Sequence, residues 1–139
     1  MNRFTLLDGA MGTLLQAAGL PVGHIPEMLN LEQPDIVEDI GRRYIAAGSD
    51  IIYANTFGAN LLKFSRDELE NIIKAAVENA KLAKESSHNH GEKYIALDIG
   101  PSGKMLKPYG DLDFEDAVSL FAETIKIGVK YGVDLIFIE

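Results

Sequence analysis

Residues 50–55 read DIIYAN, a run of branched and aromatic side chains that closes on an amide and opens into Thr56-Phe57-Gly58-Ala59-Asn60. A short apolar run bounded by turn residues reads as a buried strand. Three more segments repeat the form. FTLLD (4–8), YIALD (94–98) and LIFIE (135–139) stay largely apolar until a final carboxylate at Asp8, Asp98 and Glu139. With Asn55, these end residues stand 47, 43 and 41 positions apart, room for one crossover helix per interval. The order is βαβαβαβ. Strands that are apolar throughout, rather than alternating, belong to a parallel sheet covered on both faces. Their C-termini share one rim, the usual place for ligand chemistry in such folds.

The intervals carry helical periodicity. After Asp8, the turn DGAMGT has two glycines, Gly9 and Gly12, that permit a tight bend and close approach of a ligand. A short helix is predicted over about 13–18, then an irregular stretch over 22–33 punctuated by Pro26 and Pro34. Pro34 suits a first helical position. Ile36, Val37, Ile40, Tyr44 and Ile45 then share one helix face, and Gly48 stands where a left-handed terminator belongs. Ser65 or Asp67 starts the longest helix, striped by Leu69, Ile72, Ile73, Ala76, Val77, Ala80 and Ala83. It fades into the polar turn SSHNHG (86–91). Asp113, with Asp116 three residues on, is placed to cap the last helix. Its apolar face is read as Val118, Phe121, Ala122, Ile125 and Val129, with Gly132 closing it.

With 139 residues, 47% of them hydrophobic, residues 1–139 form one unit with one moderate core. Four β/α units are half of an eight-unit barrel and one strand short of a small doubly wound domain, and the count leaves both open. The net charge of −8 argues against non-specific nucleic-acid binding and against an anionic membrane surface. No apolar run approaches the roughly 18 residues of a membrane span. The start, MNRFTLLDGAMG, lacks the form of a signal peptide, so the expected location is cytoplasmic. There is no cysteine, hence no disulfide, thiolate metal site or cysteine nucleophile in these residues.

Grouped at the rim, Asp8, Asn55, Asp98 and Glu139 could bind an ammonium, hold a metal or act as acid and base. Singly, each is more simply a strand-end residue capping the next loop; four together favour a site. The glycine loops DGAMGT and GPSGK leave backbone N–H groups for a carboxylate or phosphate, yet neither has a nucleotide-binding spacing, and a plain tight turn serves as well. His88 and His90 stand two apart in a polar turn with no partner spaced for zinc, and read as solvated surface. His24 has no assigned role. The charges from Lys63 to Glu70 read as a solvated helix start.

Four blocks in order, LLDGAMGTLLQ (6–16), PEMLNLEQPDIVEDIGRRYIAAGSDIIYANTFGAN (26–60), ALDIGPSGK (96–104) with PYG (108–110), and GVDLIFIE (132–139), resemble the homocysteine S-methyltransferase family. The resemblance is greatest to the N-terminal homocysteine-binding module of its cobalamin-dependent methionine synthase branch. It implies an α/β fold of parallel (β/α) units, the first four strands of a (β/α)8 TIM barrel: a half barrel. It implies transfer of a methyl group to homocysteine sulfur, giving methionine, from methylcobalamin charged by 5-methyltetrahydrofolate, from betaine or from S-methylmethionine. In the family a zinc ion on three cysteines lowers the thiol pKa, because an unassisted thiol near 8.5 supplies little thiolate.

By position, Asp8 and Glu139 match acids that hold the homocysteine amino group. The backbone at Gly9 and Ala10 matches the turn meeting its carboxylate, and Asn55, Thr56 and Asp98 match the pocket rim. The zinc cysteines are expected downstream of Glu139, so these residues supply no metal ligand, and zinc and cobalamin belong to the full-length protein. The chain alone is expected to be inactive. Its implied partners are homocysteine, the rest of the barrel, downstream folate and cobalamin domains, and copies of itself meeting at open strand edges. The competing readings are a flavodoxin-like module that binds a phosphate-bearing ligand through Asp8 and the glycine loops, and a half-barrel scaffold without a ligand. Helices on both faces of a flat sheet would mark the flavodoxin-like module.

Overall fold

A computed structural model describes residues 4–88 and 91–139. Three of the four apolar runs are strands: β1 (Ile51–Ala54), β2 (Tyr94–Ile99) and β3 (Leu135–Ile138). They pair in parallel and in chain order, Ile52 opposite Ile95 and Leu97 opposite Ile136. The fourth run, 4–8, joins by a single parallel bridge between Leu7 and Ile51. The expected four-strand half barrel is therefore a three-stranded sheet with a bridged edge segment. Asp8 N donates to Ile51 O at 3.0 Å, and Asp50 N and Ile51 N both donate to Leu6 O. The pairing stops there because the chain turns away at Gly9, while Phe4 and Leu6 are exposed.

The helices are α1 (Met11–Ala17), α2 (Leu29–Glu32), α3 (Pro34–Ala47), α4 (Arg66–Glu85) and α5 (Phe114–Tyr131), with a 3-10 turn at Pro26–Met28. One core joins Ile45 of α3, the expected α4 stripe and Ile127 of α5 to Ile52, Ala54, Ile95, Leu97 and Ile99. Strand side chains alternate between faces, so these five lie on one side of the sheet. All three helices cover that side. The other side carries Tyr53, Ala96, Asp98 and Phe137, with the Tyr53 and Phe137 rings edge to face at 5.5 Å. Sequential strand order with one-sided helices is the arrangement of a barrel segment; a doubly wound domain places helices on both faces and reverses its strand order. The packing is close: a Cβ on Gly128 of α5 would lie 2.7 Å from the Leu97 side chain.

Several local expectations hold. Ser65 and Glu68 form a reciprocal capping box at the start of α4, and Gly48 and Gly132 end α3 and α5 with positive φ. Others change. The stretch 22–33 is partly ordered by the 3-10 turn and α2, which polar Glu27 and Asn30 disguise although both are buried. Asp113 makes no capping bond; its carboxylate pairs with Lys107 at 2.8 Å. On α5 the buried positions are Ala117, Leu120, Thr124, Ile127 and Gly128; Phe121 and Ile125 of the expected face pack against the core, while Val118 and Val129 are exposed. The apolar face of α5 is broad, and the part of it that meets the sheet is the side carrying Gly128, which fits closely against Leu97.

Candidate functional site

At the C-terminal ends of the strands lies a cavity of about 690 Å³. Asp8, Gly9, Ala10, Asn55, Asp98 and Glu139 all line it, as expected from the sequence. Glu27, Tyr53 and Phe57 line it as well. Thr56 does not. Its buried hydroxyl donates to Asp98 O at 2.9 Å and accepts from Asp98 N at 3.1 Å, riveting the end of β1 to the strand that carries Asp98. Asn55 is also committed to the frame: its Nδ2 donates to Pro26 O and to Asn30 Oδ1 at 2.9 and 3.0 Å. These two residues shape the rim, while the carboxylates give it charge.

Asp8 Oδ2 accepts the Tyr53 N–H at 2.9 Å, whereas Asp8 Oδ1 is buried and has no hydrogen-bond partner. Burial pushes its carboxyl up to about 6, outweighing the N–H donors of Tyr53 and of Asp8 itself, and Glu139 adds to the rise. Asp98, at the end of β2, is 9% exposed, and its Oδ1 is likewise unpaired. Burial first, then the charges of Glu139, Asp8 and Glu27, push it up to about 7. Glu27 is 3% exposed and accepts the Gly58 N–H at 2.6 Å. Sequence reading passed over Glu27 because it lies in a segment read as irregular; the Pro-Glu pair within a matching block was the available signal.

Four carboxylates thus face one cavity, and no lysine or arginine is among its lining residues. A buried anion without a partner is costly. The arrangement favours a ligand that brings positive charge. A thiolate-held zinc does not fit these residues: the sequence has no cysteine, and among the described residues no group of three or more His, Cys, Asp or Glu could hold a metal ion. His24 pairs with Glu32 at 2.8 Å away from the cavity, His88 is exposed, and His90 lies outside the described residues. The second glycine loop, 100–104, is not part of the lining either. A phosphate-bearing ligand would meet an acidic wall here.

The profile of the homocysteine S-methyltransferase family matches residues 5–139. The chain belongs to this family. Methionine synthases of Mycobacterium leprae and Mycobacterium tuberculosis are each 30% identical to it over 149 aligned positions, covering 99% of this chain and 12% of theirs. Among solved structures, the Escherichia coli homocysteine methyltransferase MmuM in its metallated form matches with a TM-score of 0.80 at 21% identity, over 97% of this chain and 53% of that one. Its oxidized form matches with a TM-score of 0.80 at 20% identity, over 95% and 51%. The chain therefore spans about an eighth of the methionine synthases and about half of MmuM. At that identity the structural match speaks to the fold, and it agrees with a partial barrel.

Proposed function

We propose that the cavity is the acceptor half of a methyl-transfer site, binding homocysteine for conversion to methionine. The observation that carries the reading is the pair of buried, unpartnered carboxylate oxygens on Asp8 and Asp98, in a cavity without a cationic side chain. The substrate ammonium supplies the missing charge. Asp8 and Glu139 hold it, with Asp98 adding to the field, and the Gly9-Ala10 backbone meets the substrate carboxylate. Asn55 and Thr56 keep the rim in shape.

Thiol activation falls to groups beyond these residues, because the chain offers no zinc ligands of the family's kind. Kinship with methionine synthase supports a methyl group delivered from methyltetrahydrofolate through cobalamin, on domains outside 1–139. This chain by itself binds acceptor and does not turn it over. A thiol substrate calls for a reducing compartment, which supports a cytoplasmic location. The exposed Ile136 and Ile138 of β3, beside an edge with no strand partner among the described residues, support association with the remainder of a barrel or with a second copy.

The test is calorimetric titration of the chain at pH 7.5, under reductant, with L-homocysteine and with 4-mercaptobutanoate, which lacks the amino group. Homocysteine is expected to bind at least about tenfold more tightly, the worth of one charge-assisted contact. Equal or tighter binding of the amine-free compound overturns the reading.

A further inference from the structure

We infer that Tyr44 is a positioning residue for the acceptor, holding the Gly9-Ala10 turn in the shape that receives the substrate carboxylate. The inference rests on the homocysteine reading of the cavity, which Tyr44 itself does not line.

The turn is anchored on both sides, its Ala10 also serving as the N-cap of α1. Before it, β1 fixes Asp8 twice: Asp8 N donates to Ile51 O at 3.0 Å, and Tyr53 N donates to Asp8 Oδ2 at 2.9 Å. After it, the Tyr44 hydroxyl donates to Ala10 O at 3.1 Å. Gly9 and Ala10 are themselves exposed, so packing does little to hold them. Tyr44 is well placed for the task. Its ring, on α3, packs against both the main core and the smaller cluster of Leu15, Leu29, Val37 and Ile40. A ring held on two sides presents its hydroxyl from a fixed point.

The turn also rests against that ring. A Cβ on Gly9 would lie 2.8 Å from the Tyr44 oxygen, against 3.2 and 3.3 Å from Cε1 and Cζ. A Cβ at position 9 would force the turn or the phenol oxygen behind it to shift. Two independent features, a hydrogen bond to Ala10 and a steric backstop at Gly9, thus converge on one side chain. Tyr44 acts on the substrate only through the backbone it supports.

Tyr44→Phe keeps the ring and removes the hydroxyl. Losing one such hydrogen bond is expected to weaken homocysteine binding about fivefold. Binding of 3-aminopropane-1-thiol, which lacks the carboxylate, should not change. A merely structural role would weaken both ligands alike, and that result overturns the proposal. Backbone amide order parameters at Gly9 and Ala10 should fall in the variant while those of β2 hold; unchanged order at the turn also refutes it. Gly9→Ala should weaken homocysteine binding more in the wild-type background than alongside Tyr44→Phe, since the closest atom is then gone. Additive effects would contradict the backstop. If the wild-type chain binds neither ligand, the homocysteine reading fails, and the order parameters alone decide the role of Tyr44.

Discussion

Asp98→Asn should make this protein more stable while weakening its site. The Asp98 carboxyl is pushed from the ordinary 3.8 up to about 7, chiefly by burial. Between those values the folded state holds a proton that the unfolded state has released, so stability falls as pH rises through the window. At 1.36 kcal/mol per unit, the rise from 3.8 to about 7 amounts to at most ~4 kcal/mol. The cavity opens to solvent at the rim, and screening leaves about 1–2 kcal/mol. Asparagine keeps the shape and carries no charge. At roughly 4 °C per kcal/mol for a chain of this size, Asp98→Asn should raise Tm by about 4–8 °C at pH 8. At pH 4, near the lower end of the window, Asp98 is protonated in the folded state and the gain should nearly vanish. Differential scanning calorimetry at both values reads the effect. An equal shift at pH 4 and pH 8, or a loss of stability at pH 8, would refute the electrostatic reasoning. The same variant should bind homocysteine more weakly, a trade of function against stability.

Homocysteine affinity should rise from pH 5 to pH 8 and level off once Asp8 (about 6) and Asp98 (about 7) are both ionised; a flat calorimetric profile contradicts this. At the opposite end of the sheet, buried Lys93 donates to Ser49 O at 2.7 Å and to Asp50 Oδ1 at 3.3 Å. Lys93→Met should cost about 3–5 kcal/mol by breaking the buried Lys93–Asp50 pair, measured as a fall in urea midpoint, with partial rescue by Asp50→Asn. Sedimentation velocity should show concentration-dependent self-association, reduced by Ile138→Lys at a side chain 75% exposed; a concentration-independent monomer argues against an open apolar edge.

The barrel-like order was legible because its marks are local. Apolar runs ending in carboxylates, helix stripes such as Leu69 to Ala83, and terminators at Gly48 and Gly132 depend on near neighbours. Which side the helices cover was not legible, since continuous apolar strands read alike on both faces; it took Ile52, Leu97 and Ile127 meeting in one core to decide it. The bridged segment 4–8 reads as a strand because its pattern is one, yet it pairs only at Leu7 and Ile51 before the chain turns away at Gly9. Among the rim residues, Asp8, Asp98 and Glu139 were placed by strand ends. Thr56 was grouped with them only through the family resemblance, and its hydroxyl bonds backbone atoms of Ala54 and Asp98. Glu27 and Tyr44 approach the site from segments distant in sequence, and apart from the Pro-Glu pair in its matching block no local pattern marks either.

The central claim is that the acidic cavity receives the ammonium group of an amino-acid thiol. Titrating isotopically labelled chain with homocysteine at pH 7.5 and following backbone amide shifts tests it most directly. Saturable shifts are expected at Gly9, Ala10, Tyr53, Asp98 and Glu139, lost in Asp8→Asn. Shifts confined instead to the groove between α1 and α3, lined by Leu14, Ile36 and Arg43, or unaffected by Asp8→Asn, would contradict it.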